Sequence, residues 1–249
     1  MHRTLWILCS AALAVAACGP HPGSTIPLVD PPPTPLPSAG LQLRPGEEMV
    51  WDIYWQGLLV GRADLGIGAR EAHSKFSTTA LARTFAKVRY QLSTTLDRGA
   101  ATASHESLTR AGQDTSTAAA IDGAHYAIDA GPRLVVPGGT ALHTLHTALA
   151  SLRTWSRGDA PPPAYLWFVL GHTLYRLDVE RPTRDEAQGH RALKIRGTAR
   201  PLDLSMDPVD VTIWLSTTID RTPLRFVVIA DSERVSAELT ETTAKVAAN

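Results

Sequence analysis

Two histidines, His143 and His146, stand three residues apart in TALHTLHTALASLRTW and are the first candidates for side chains that act together. On a helix this spacing puts both rings on one face, where both could bind a metal ion. The stretch holds no Asp or Glu as a third ligand, and neither histidine falls on its leucine stripe. We therefore predict a polar helix face turned toward solvent, and no metal site.

Other residues suited to catalysis form weaker patterns. Asp52 and Asp64 should share one face of a hairpin with Tyr54 and Arg62, as an acid–base pair or as a solvated face whose charge Arg62 balances. GIGARE has Glu71 where the third glycine of a dinucleotide-binding loop would stand. No G-x-S-x-G, Walker or H-E-x-x-H motif occurs. The sequence favours a non-enzymatic protein without a cofactor, and a hydrolase site assembled from distant residues stays as an alternative.

The N-terminus, MHRTLWILCSAALAVAAC, has the layout of an export signal. Arg3 precedes an apolar run from Leu5 to Ala17, shorter than the about 20 helical residues that span a bilayer. The ending Val-Ala-Ala-Cys resembles the lipobox of bacterial lipoproteins. That resemblance implies a signal peptide over 1–17 and a lipid such as palmitate on Cys18. Gly19 after the cysteine implies anchoring in the outer membrane, facing the periplasm.

Charge and cysteine content exclude further function classes. The 249 residues carry 24 basic and 24 acidic side chains, so nothing favours a nucleic-acid partner. The only cysteines are Cys9, in the predicted leader, and Cys18, at the predicted anchor. The mature domain is therefore expected to lack disulfides, thiol nucleophiles and cysteine metal sites.

Residues 18–45 are predicted to form a tether after the anchor. Nine prolines fall in 19–45, and the run VDPPPTPLPS should join neither a helix nor a sheet ladder, because proline lacks the N–H donor. We expect an extended, semi-stiff segment between the lipid and a single β-rich domain over 46–249.

Period-two alternation of apolar residues dominates the domain and predicts antiparallel strands separated by Gly- and Pro-containing turns. Leu142, Leu145, Leu149 and Leu152 form one helical stripe instead, which predicts one packed helix near 141–155. The predicted fold is mainly β, a strongly curved antiparallel half-barrel or barrel-like sheet. The strands are expected near 48–56, 61–70, 75–82, 87–97, 103–110, 114–121, 124–129, 132–136, 164–170, 173–181, 190–199, 210–217, 223–231 and 234–241.

The first hairpin, WDIYWQGLLVGRADLGIG, is apolar where a turn is normally polar. Trp51, Ile53 and Trp55 share one face of the first strand. They can meet Ala63, Leu65 and Ile67 on the second strand if Gly57 pairs with Gly61, which leaves Leu58-Leu59-Val60 as a three-residue loop. This loop either folds over an open end of the core or stays exposed to lipid or a partner.

Three stretches resemble a bacterial family known as domain of unknown function 3108. The first, GEEMVWDIYWQGLLVGRADLGI, carries the matching positions Gly46, Glu47, Trp55, Gly57 and Gly61. The second, LASLRTWSRGD, matches the family's mid-chain helix at Arg153 and Gly158. The third, IWLSTTIDRTPLRFVV, matches at Trp214, Leu215, Ser216 and Pro223, but has Thr217 and Thr218 where the family more often has acids.

That resemblance covers about residues 46–241 and implies an exported or envelope-anchored β-rich domain without an established activity. A curved sheet with one helix is also similar to the half-barrels of lipoprotein carriers, which hold acyl chains. We expect a concave face that binds a lipid-like or apolar ligand through Trp51, Trp55, Leu58, Leu59, Leu145 and Leu149. A closed, dry core and a structural lipoprotein that docks another envelope protein are the alternatives.

Overall fold

A computed structural model of the chain describes residues 33–84, 87–203 and 206–244. The predicted signal peptide and Cys18 lie outside these residues. Strands make up 61% of the described residues. They are β1 (Thr34–Pro35), β2 (Glu47–Trp55), β3 (Leu58–Ile67), β4 (Glu71–Thr78), β5 (Val88–Asp97), β6 (Ala100–Arg110), β7 (Gln113–Asp122), β8 (His125–Ile128), β9 (Leu134–Val135), β10 (Leu142–His143), β11 (Ala164–Leu170), β12 (Thr173–Val179), β13 (Thr183–Ala187), β14 (His190–Pro201), β15 (Val209–Ser216), β16 (Pro223–Ala230) and β17 (Glu233–Ala244).

All described strands join one sheet, in the order β1-β10-β11-β12-β13-β14-β15-β16-β17-β2-β3-β4-β5-β6-β7-β8-β9. Most neighbours are antiparallel hairpin partners, and the pairing of β17 with β2 joins the C-terminal strands to the N-terminal ones. The fourteen predicted strands are present. Sequence analysis missed β1, β10 and β13, because two are only two residues long and β13 is largely exposed, without an apolar alternation.

The two ends of this sheet overlap. Among the described strands, no hydrogen-bonded pair joins the first strand of the sheet to the last, so the sheet is not closed. Along β11, Leu166 and Phe168 face the main core, while Trp167 and Val169 point to the opposite face. There they pack against side chains of β7 and β8, among them Ile121. Apolar side-chain packing thus holds the two ends of the sheet together, as backbone hydrogen bonds do in a closed barrel. The predicted curved, barrel-like antiparallel sheet with one packed helix is confirmed.

The helix, α1, spans Leu145–Trp155 and is shorter than the predicted 141–155. Thr144 ends the preceding extended segment and forms a capping box with Thr147, which fixes where the helix begins. Leu142 is therefore not on the helical stripe; it lies in β10 and packs in the second apolar cluster. Among the described residues, no helix is long and apolar enough to cross a membrane.

The first hairpin differs from its prediction at the tip. Its turn is Gln56-Gly57, both with positive φ, and Leu58 and Leu59 already pair with Trp55 and Tyr54 in β3. A bulge at Val60 then restores the alternation of side chains, so that Trp51 and Ala63 share a face as expected. Their direct pairing was not predicted, because the Gly57–Gly61 register would have placed Trp51 opposite Ile67. The three-residue loop was wrong because a bulge can correct a register that the turn alone would misplace. Leu58 and Leu59 are 65% and 43% exposed, whereas Val60 is buried.

The end of the predicted tether packs on the domain. Thr34 and Pro35 pair in parallel with Ala164 and Tyr165, and Leu36 is buried in the main core. The expectation that this proline-rich run joins no ladder was wrong for these residues. Non-proline positions between the prolines keep their N–H groups, and the Leu36 amide donates to the Tyr165 carbonyl over 2.7 Å.

Gly61 provides a test of this packing. It is not at positive φ; a Cβ atom there would lie 2.2 Å from the ring of Phe76 and 2.8 Å from the Ser77 carbonyl oxygen. We expect Gly61→Ala to lower the free energy of unfolding by roughly 1–3 kcal/mol, because the ring has to move within a packed core. Gly158→Ala is the control, since its Cβ would meet the Trp155 carbonyl oxygen at an ordinary 3.5 Å. Equal urea midpoints for the two variants would contradict the close approach.

Candidate functional site: an apolar cavity under the helix

A cavity of about 250 Å³ lies between α1 and the concave face of the sheet. We call it the helix cavity. Its walls are almost wholly apolar, from Trp51 and Ile53 on β2 to Phe168 on β11. The other lining residues are Ala63, Leu65, Ser74, Lys75, Phe76, Tyr90, Leu145, His146, Ala148, Leu149, Leu152, Leu170, Leu177, Val211, Ile213, Phe226, Val228 and Ala237. It exceeds the roughly 150 Å³ that holds a benzene molecule and approaches the lower limit of small-molecule sites.

Several apolar lining residues are incompletely covered by protein. Leu145 and Leu149 on the helix, and Ala63, Phe226, Val228 and Ala237 on β3, β16 and β17, are only half-buried. A well-packed core would cover these side chains, since core packing leaves few voids larger than a water molecule. The helix therefore lies over the sheet without filling the space between them.

One corner of the cavity is polar, and we call Ser74, Thr94 and His146 the polar corner. His146 Nδ1 lies 2.8 Å from Thr94 Oγ1, and His146 Nε2 lies 3.2 Å from Ser74 Oγ. Thr94 in turn donates to Thr144 Oγ1 over 2.9 Å. The corner thus ties the N-terminal end of α1 to β4 and β5.

Burial lowers the pKa of His146 from 6.5 to about 4, with a smaller lowering contribution from nearby His73. The ring is therefore neutral near pH 7. His143 lies in β10 and is also buried, which lowers its pKa to about 4, while a hydrogen bond with the Thr147 backbone opposes this shift. The prediction that both histidines face solvent from one helix was wrong, because the helix begins only after His143.

Trp51 places an unused hydrogen-bond donor at the cavity wall. Its side chain is 6% exposed and lines the cavity, and its ring packs edge-on against Phe226 with centroids 5.9 Å apart. Among the described residues, no group accepts a hydrogen bond from its Nε1. A buried donor without an acceptor costs about 1–3 kcal/mol, which makes this atom a candidate contact for a ligand.

The C-terminal end of α1 is held by a buried ion pair. Arg153 donates from both terminal nitrogens to Glu47 over 2.8 and 2.9 Å, and these side chains are 1% and 5% exposed. Arg153 Nε and Nη2 also donate to the Asp220 carbonyl in the β15–β16 turn, and Arg44 pairs with the Asp220 carboxylate. The three stretches that resemble the 3108 family therefore meet at one guanidinium.

The predicted ligand-binding residues fall into two groups. Trp51, Leu145 and Leu149 line the helix cavity. Trp55 does not; it packs at the edge of the main core and donates from Nε1 to Glu233 over 3.0 Å. Leu58 and Leu59 lie at the exposed hairpin tip, away from the cavity.

Sequence analysis missed the polar corner. The inward-facing positions of β4 are Ala72, Ser74, Phe76 and Thr78, and a serine among them was the available signal. The predicted carboxylate face is an ion pair, since Asp52 accepts from Arg62 Nε over 3.3 Å. Within the described ranges, no group of three or more His, Cys, Asp or Glu could hold a metal ion.

No family model matches this sequence, and no curated protein does either. The resemblance to the 3108 family therefore stays a prediction. The structure is similar to a solved protein from Brucella abortus, described as a beta-barrel-like protein of domain of unknown function DUF1849. The two share a TM-score of 0.58 and 8% identity over 82% of this chain and 99% of that chain. The fold is barrel-like, and at this identity the similarity shows the fold alone.

The Glu47–Arg153 pair gives a stability test. We expect Glu47→Leu or Arg153→Met alone to lower the free energy of unfolding by roughly 3–5 kcal/mol, because each leaves the other charge buried and unpaired. The double variant should lose much less than the sum of the two. Asp122→Ala, which removes the exposed Arg133–Asp122 pair, is the control and should cost less than about 1 kcal/mol. Additive losses in denaturant unfolding would contradict the direct pairing.

The two buried histidines give a pH test. Below pH 6.5 these two histidines bind protons in the unfolded chain, whereas in the folded protein they stay neutral until the pH reaches about 4. The free energy of unfolding should therefore fall as the pH decreases through this window, by roughly 1–2 kcal/mol per histidine between pH 7 and pH 5. His146→Asn should reduce this difference between urea curves at the two pH values. His125→Asn, at an exposed position, should preserve it; an unchanged difference in His146→Asn would refute the assignment.

Proposed function

We propose that this protein is a lipid-anchored envelope module that binds a lipid-like ligand in the helix cavity without catalysing a reaction. The anchor is Cys18, and the compartment is the periplasmic face of the outer membrane. Both follow from the lipobox-like sequence. The ligand site is the space under α1, lined by Trp51, Leu145 and Leu149.

The observation that carries this proposal is an apolar cavity of about 250 Å³ that larger side chains at its lining positions would fill. Unfilled apolar volume destabilises a protein, because the lining side chains lose dispersion contacts. A single substitution of Ala148 or Ala237 by a larger apolar residue would fill part of this space. A ligand that occupies the cavity offsets this loss and explains why the space is kept open.

The polar corner argues for binding rather than hydrolysis. Ser74 and His146 have the spacing of a nucleophile and a base. The base, however, has a pKa of about 4, well below the value near 7 that suits a general base at neutral pH. Ser74 also lies in mid-strand, paired with Leu65 and Leu92, instead of on an exposed turn.

A second candidate function is docking to another envelope protein. It is favoured by exposed apolar residues on two adjacent hairpin tips, Leu58 and Leu59 on the first and Ile229 on the last. The tips are joined by the Gln56 amide, which donates to the Arg234 carbonyl over 2.9 Å.

Native mass spectrometry of the exported chain from Gly19 to Asn249, beside a denatured control, tests the binding function. We expect an adduct that is lost on denaturation. Ala237→Phe should abolish it, because the ring would occupy the cavity. Ala120→Phe, at an exposed position away from the cavity, should keep it.

An adduct of equal abundance in both variants would place the ligand elsewhere. If purified wild type carries no adduct and adding acylglycerols produces none, the proposed ligand-binding function is wrong and docking becomes the better candidate.

A further inference from the structure

Among the described residues that line the helix cavity, no buried charged side chain could pair with an ionic ligand. The only Lys or Arg among its lining residues is Lys75, whose side chain is exposed, and no Asp or Glu lines it. His146 is the remaining ionisable base, and it is neutral near pH 7. A carboxylate or phosphate in this space would lose its hydration without gaining a counter-charge, which is strongly unfavourable.

The hydrogen bonds of the polar corner determine which group Ser74 offers. Thr94 has one hydroxyl proton, which it donates to Thr144. The proton between Thr94 and His146 therefore belongs to His146 Nδ1. In a neutral imidazole Nε2 is then the acceptor, and the Ser74 hydroxyl donates to it. The lone pairs of Ser74 Oγ remain available, so this corner offers a ligand an acceptor.

Trp51 offers the complementary group. Its Nε1–H is a donor only, and it has no acceptor among the described residues. Trp51 lies on β2, opposite Ala63 and, across β3, in line with Phe76; Ser74 is the next inward-facing residue after Phe76 on β4. One cavity wall therefore carries one free donor and one free acceptor within an apolar surface.

We infer that the ligand of the helix cavity is an uncharged amphiphile that both donates and accepts hydrogen bonds, such as an alcohol, a hydroxyl-bearing acyl ester or an amide. This inference rests on the proposed function and specifies its ligand class. The apolar chain lies under Leu145 and Leu149. Its polar groups contact Ser74 Oγ and Trp51 Nε1. A ligand whose ionised carboxylate or phosphate would have to lie beneath the helix, away from Lys75, is excluded by the cost of burying that charge.

The test compares two probes with the same chain, 1-octanol and octanoate, titrated calorimetrically into the chain from Gly19 to Asn249 at pH 7.5. We expect 1-octanol to bind at least about tenfold more tightly, since octanoate is ionised at this pH. Ser74→Ala should weaken 1-octanol binding by about two- to tenfold, as expected for the loss of one hydrogen bond from the single hydroxyl of this probe. Ser77→Ala, an exposed serine on the same strand, is the matched control and should bind like wild type.

Octanoate binding as tight as that of 1-octanol would overturn the inferred ligand class but would still agree with the proposed ligand-binding function. Unchanged 1-octanol affinity in Ser74→Ala would overturn the assigned contact, and this variant removes only a hydroxyl from a half-buried side chain. If neither probe binds and no adduct is found by mass spectrometry, the proposed function itself fails. Thermal melts of each variant, recorded before titration, identify any that do not fold.

Discussion

The buried pair between Glu47 and Arg153 is the constraint on which the arrangement of this domain depends. It joins the first residue of β2 to the last turn of α1, and Arg153 also holds the β15–β16 turn through the Asp220 carbonyl. The guanidinium of Arg153 thus binds to two elements that lie far from α1 in the sequence. A bidentate pair in a dry environment tolerates little displacement of either partner, so it fixes the position of the helix relative to the sheet.

A second polar network holds the other end of the helix. His146 bonds to Ser74 and Thr94, and Thr94 donates to the cap residue Thr144. The helix is therefore supported at both ends by directional hydrogen bonds, whereas across the cavity its middle faces mainly apolar side chains of the sheet. Hydrophobic packing alone would draw the middle inward until the space closed. Two fixed ends resist that movement, and the cavity beneath Leu145 and Leu149 is the consequence.

The same logic explains why the sheet need not close by hydrogen bonds. Trp167 and Val169 on the outer face of β11 are covered by β7 and β8, so the sheet ends protect one another through side chains. Edge strands are usually a liability because their backbone groups can pair with other chains. Here β1 and β9, at the ends of the described sheet, are each two residues long, which limits such pairing.

The sequence by itself determined fourteen of the seventeen described strands, the packed helix α1 and the curved mainly-β class, because alternation of apolar residues is a local signal that each longer strand carries on its own. It also placed Trp51 and Ala63 on one face of the first hairpin, although not directly opposite each other, because alternation alone indicates the shared face. Tertiary structure decided the rest. The bulge at Val60, the docking of Leu36 and the meeting of Glu47 with Arg153 depend on residues brought together over long separations. The polar corner is of the same kind: Ser74 and His146 are ordinary residues in their own segments, and only the packing of α1 on the sheet makes them neighbours.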